Sequence, residues 1–87
     1  MTKVITAKGK EYEAQWADIS TIDGTLRFSL IGASIGELFT VFSDQEETAE
    51  ITVKLDEHQT IYEGFTGLKG IELFPGGNIV VRLLPQA

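Results

Sequence analysis

The chain has 87 residues, 43% of them apolar, and a formal net charge of −6 from 13 acidic against 7 basic side chains. That length allows one domain, residues 1–87, and the apolar fraction is too high for a disordered chain. There is no cysteine to staple so small a fold, and the acidic balance without a Lys/Arg cluster argues against a nucleic-acid partner.

Lys3–Ala7 reads as a first strand, and Lys8-Gly9-Lys10 as a turn. Over Glu11–Ala17, Tyr12, Ala14 and Trp16 alternate with Glu11, Glu13 and Gln15, the pattern of a half-buried antiparallel strand. Trp16 is then expected in the core. Asp23-Gly24 is a hairpin signal, and Thr25–Leu30 alternates again with Leu26, Phe28 and Leu30 inward. Ser34-Ile35-Gly36-Glu37 fits a capping box, and Ile35, Leu38, Phe39 and Phe42 recur at helical spacing. Gly36 weakens that helix by about 1 kcal/mol and Thr40 and Val41 weaken it further. The expectation is a short helix over 34–42, with a strand over Leu38–Phe42 as the alternative.

Asp44–Glu50 places four carboxylates in a solvated acidic loop. It lacks the central Gly and the alternation of a calcium loop. Ala49–Leu55 reads as a strand and Asp56–Gln59 as a polar turn. Thr60–Thr66 alternates, with Ile61 and Phe65 on one face, and Leu68–Phe74 forms a further run with Ile71 and Leu73 together. Pro75-Gly76-Gly77-Asn78 makes a tight turn into Ile79–Leu84. That last strand is apolar on both faces, which usually means cover on both faces. Gly64, Gly67 and Gly70 read as bulges or a bend, not as a phosphate loop, because strands lie on both sides.

These elements predict a mainly antiparallel β domain of about seven strands, a small barrel or a sandwich, with one short α-helix plugging an end or covering a face. The predicted core is Val4, Trp16, Leu26, Phe28, Leu30, Leu38, Phe42, Ile51, Val53, Leu55, Ile61, Phe65, Ile71, Leu73, Ile79, Val81 and Leu83.

The residues Gly9-Lys10-Glu11-Tyr12, Ser20-Thr21-Ile22-Asp23-Gly24 with Leu26-Arg27-Phe28, Phe42-Ser43-Asp44, Glu47-Thr48 and Tyr62-Glu63-Gly64-Phe65-Thr66 span most of the chain. In this order the sequence resembles small virion structural proteins encoded by prophages of Gram-positive bacteria. The resemblance implies a tail or head–tail component of a phage-like particle. It carries no active-site residue.

Three functions follow for weighing. An assembly subunit would use the second apolar face, Phe74, Val80 and Leu84, as an interface with itself or with other particle proteins, unless the chain's own helix covers that face. A monomeric ligand-binding module, for carbohydrate for example, would stack its ligand on Tyr12, Trp16 and Tyr62. An enzyme is not expected. His58 stands alone in a polar stretch, Ser20, Ser29, Ser34 and Ser43 have no base near them in sequence, and no metal or cofactor set is visible. Apolar runs such as Leu30–Ala33 are far short of a membrane span, and the N-terminus lacks a signal-peptide core, so the expected location is the cytoplasm or a virion-like particle.

Overall fold

Seven antiparallel strands form one sheet in the computed structural model, which describes residues 2–85. In chain order they are β1 (Thr2–Ile5), β2 (Glu11–Ile19), β3 (Leu26–Ile31), β4 (Glu50–Leu55), β5 (His58–Glu63), β6 (Phe65–Leu73) and β7 (Ile79–Pro85). Helices α1 (Ile35–Phe42) and α2 (Gln45–Thr48) lie between β3 and β4. The order across the sheet is β5-β4-β1-β2-β3-β7-β6. The two edge strands, β5 and β6, are therefore consecutive in the chain, with Gly64 alone between them. Flat, the inter-strand gaps would hold these edges roughly 29 Å apart, whereas two peptide units span about 7 Å at most. The sheet must curl until its edges meet at Gly64. Its φ of 83° permits the sharp corner.

The concave face holds the core. Val4, Leu26, Phe28, Leu30, Ile51, Val81 and Leu83 point into it from the strands, and Leu38, Val41 and Phe42 from α1. The Phe42 ring sits 5.2 Å from that of Phe28 and 5.8 Å from that of Tyr12. The helix expected over 34–42 is present as α1 over 35–42. Ser34 caps α1 by accepting from the Glu37 amide at 3.2 Å, and Leu38, Val41 and Phe42 form its buried stripe. Ile35 and Phe39 remain on its exposed side. Gly67 and Gly70 stand at two irregularities in the β6–β7 register, as bulge glycines should.

Several core expectations are corrected. Trp16 is exposed, because the β2–β3 register shifts between Ala14 and Trp16. The extra residue, Gln15, reverses the alternation, so Ala14 faces in, Trp16 faces out, and Ala17 and Ile19 return inward. Ile61 also faces out, and its neighbour Tyr62 packs against the core instead. The corner at Gly64 separates Ile61 from Phe65, so one alternation does not run through both. Leu55 and Leu73 face the inner side at strand ends and stay at the rim, exposed. Val53 and Ile71 are partly buried against the core. The turn after β4 is tighter than expected: Asp56 takes a positive φ of 52°, and His58 and Gln59 already belong to β5.

The acidic segment is corrected too. Instead of a solvated loop it forms α2, capped by Asp44, whose carboxylate accepts from the Glu46 amide at 3.0 Å. Glu47 is buried. One of its carboxylate oxygens accepts from the Thr6 hydroxyl at 3.3 Å, and Lys10 Nζ lies 3.5 Å from the other. That second oxygen has the ion pair but no hydrogen bond. The Ala7 amide donates to the Glu47 carbonyl, and Lys8 pairs with Asp44 at 3.4 Å and Glu46 at 3.2 Å. On the other flank, the Thr48 hydroxyl donates to the Phe65 carbonyl at 3.0 Å, and the Gly64 amide to the Ala49 carbonyl at 3.2 Å. α2 thus ties the β1–β2 turn to the corner where the sheet edges meet.

Phe28→Ala removes a fully buried ring and is expected to cost about 3–5 kcal/mol, enough to unfold so small a domain, as read from a urea or thermal melt. At the surface, Asp23 is held well below the usual carboxylate range, first by Lys69 Nζ at 2.9 Å and then by the Thr25 amide, which donates to it at 3.0 Å. A depressed folded value gives stability that is present at neutral pH and is lost as pH falls below about 4. Asp23→Asn should therefore melt with a shallower loss than the parent between about pH 5 and pH 2.

Candidate functional site

The bulge that turns Trp16 outward also builds a groove. On the convex face, Trp16 lies directly across from Ser29 on β3, Ser29 across from Val80 on β7, and Val80 across from Glu72 on β6. Phe74, just past the end of β6, closes in beside them. Gln15, Trp16, Ser29, Phe74, Asn78 and Val80 line a cavity of about 280 Å³. Ser29 and Val80 form its floor: both are buried, although they face away from the core and Val80 stands outside the core cluster. Trp16 and Phe74 are each 41% exposed and carry the accessible aromatic surface.

Charged pairs frame the groove. Asp18 and Arg27 face each other across β2 and β3 and form a two-pronged pair, each prong 3.0 Å. Arg82 pairs with Glu72 across β7 and β6. Both arginines lie in the row next to Trp16 and Val80. The lining itself is uncharged, with two amides and one hydroxyl beside the rings. Apolar anchors inside a polar, charge-paired border are the composition of protein-binding patches.

The six candidate residues separate as follows. Phe74 and Val80 meet in the groove, and Leu84 continues the same face of β7 beyond Arg82, 42% exposed. The helices do not cover this face. They pack on the concave side, against β6 and β4. Trp16 joins Phe74 and Val80, whereas Tyr12 and Tyr62 pack against the core, so the three aromatic candidates do not share one surface. Burial raises the Tyr12 hydroxyl above its ordinary value, with Glu37 and Glu47 adding to the effect. The union of Trp16 with Phe74 escaped sequence reasoning because it depends on the Gln15 bulge. The change of apolar phase from Tyr12 and Ala14 to Ala17 and Ile19 was the one available hint.

A second, wider groove of about 860 Å³ opens at the corner of the sheet, lined by Ala7, Gln45, Ala49, Glu50, Glu63, Gly64 and Phe65. It marks where β5 and β6 come close without pairing. Among the described residues no group of three or more His, Asp or Glu side chains could hold a metal ion. Among the described residues no helix is long and apolar enough to cross a membrane. In comparison with known proteins, no family model, no curated protein and no solved structure matches the chain.

Trp16→Ala is expected to cost about 1 kcal/mol or less, far less than Phe28→Ala, because the indole stands on the convex face. The difference between the two urea midpoints measures this.

Proposed function

We propose that the chain is a non-enzymatic assembly subunit that acts through protein–protein contacts, with itself or with other components of a phage-like particle, in a tail or at a head–tail junction. The particle assignment comes from the resemblance of the sequence. The observation that carries the contact role is the Trp16–Val80–Phe74 groove, extended along β7 by Leu84. Isolated exposed apolar residues need no explanation, but two aromatic rings gathered over a buried floor and bordered by ion pairs make an anchor site.

A second reading draws on the same groove. Its uncharged amides, Gln15 and Asn78, beside the Trp16 ring suit a neutral sugar, which binds by stacking and amide hydrogen bonds. Light scattering after size exclusion, over a wide range of protein concentration and at two salt levels, separates the two. An assembly subunit gains mass with concentration or forms a discrete ring, and Phe74→Lys lowers that mass without lowering the melting temperature. A chain that stays monomeric and whose Trp16 fluorescence saturates on titration with oligosaccharide overturns the assembly reading.

A further inference from the structure

The two edges of the sheet are treated differently. β6 is protected by most of the devices that keep sheet edges from pairing: two register irregularities, Lys69 within the strand, Pro75 just after it, and α1 and α2 packed beside it. β5 has none of them. It pairs with β4 in unbroken register from Glu50–Glu63 to Leu55–His58, contains neither Lys nor Pro, and exposes Ile61 at its middle. We propose that β5 pairs with β5 of a second copy, antiparallel and centred on Ile61. The inference rests on the reading of the chain as an assembly subunit and specifies one of its contacts.

Symmetry and charge select the register. A two-fold axis that pairs two copies of one edge strand runs normal to the sheet, so convex face meets convex face. Directly opposed residues must then share a face. On β5 the convex residues are Gln59, Ile61 and Glu63, across from Lys54, Thr52 and Glu50. Centring on Ile61 sets Ile61 against its own copy and Gln59 against Glu63. Centring on Thr60 would instead oppose Ile61 to Gln59 and leave Glu63 facing Glu57 in the turn beyond the strand, and centring on Tyr62 would oppose Ile61 to Glu63.

The neighbouring strands supply the complement. Glu50 lies directly across from Glu63, and Lys3 directly across from Lys54, both on the convex face, with Glu13 of β2 on the far side of Lys3. The two like-charged cross-strand pairs are unfavourable. Among the described residues none of their four side chains has an ion-pair partner. In the Ile61-centred register, one row crosses the junction as Glu50, Glu63, then Gln59, Lys54 and Lys3 of the second copy. The acidic pair of each copy thus lines up with the basic pair of the other, twice over by symmetry. Because β6 is protected, pairing through β5 stops at two copies.

The absence of cysteine makes the register directly readable. Under mild oxidation, Ile61→Cys is expected to form a disulfide dimer. Gln59→Cys and Glu63→Cys should each remain monomeric alone and cross-link when mixed. Ile61→Lys, at an exposed position, should raise the dissociation constant at least about tenfold. Glu63→Lys should weaken the dimer while raising the melting temperature of the dilute monomer, since it relieves the repulsion with Glu50. Preferential cross-linking through residue 59 alone, or mass unchanged by Ile61→Lys, overturns the edge pairing. If the mass then depends on Phe74 and not on Ile61, the assembly reading stands without it. A parent that stays monomeric up to about 1 mM, a generous ceiling for a specific contact, also overturns the edge pairing, and the sugar titration then decides the assembly reading.

Discussion

A covalent constraint governs this fold: the first and last strands of the sheet are joined by a single glycine. Gly64 forces the curl, and the curl creates a concave side deep enough for α1 to fill. The helix stripe of Leu38, Val41 and Phe42 would have no matching hollow on a flat sheet. At the corner the Gly64 amide carries the β4–β5 ladder one step further onto Ala49, and the Thr48 hydroxyl of α2 donates to the Phe65 carbonyl.

Glu47 shows how that reinforcement is organised. A buried carboxylate is costly unless charge and hydrogen bonds compensate it. Here Thr6 supplies the hydrogen bond and Lys10 the charge, both from the β1–β2 turn. Two distant parts of the chain are thereby held on either side of a four-residue helix. A neutral, apolar seam could hold as firmly, but it would not fix which turn docks on which helix. The charged residues of Lys8-Gly9-Lys10 and Asp44–Glu47 are mutually specific, Lys8 reaching Asp44 and Glu46 while Lys10 reaches Glu47.

The strand content and the α1 cap were legible because alternation and the Ser34–Glu37 spacing are local signals. Leu26, Phe28 and Leu30 announce their face without reference to any partner strand. What sequence could not show were the places where one residue reverses the pattern. Gln15 turns Trp16 from core to surface, and Gly64 breaks the alternation that seemed to link Ile61 with Phe65. Both effects depend on the partner strand or on closure of the sheet, neither of which is written in the local pattern. α2 was hidden for a different reason. Asp44 and Glu47 repeat the three-residue cap spacing of α1, but a run of carboxylates reads as solvated unless the lysines that receive it are known to be near. The groove was half legible. Phe74 and Val80 mark an apolar second face in the sequence, whereas alternation alone puts the third member, Trp16, on the opposite side of its strand.

The position of β7 has a consequence for how the molecule comes into being. It sits between β3 and β6, so Leu26 of β3, paired with Ile19 on one side, finds its second partner only at Leu83. Until β7 arrives, β3 has one bare edge and the hollow above Phe28 lacks Val81 and Leu83. Every earlier strand is then committed to a sheet that cannot yet curl shut. Such long-range pairings favour slow folding. The groove of Trp16, Phe74 and Val80 therefore exists only in the finished sheet, since Val80 arrives with β7.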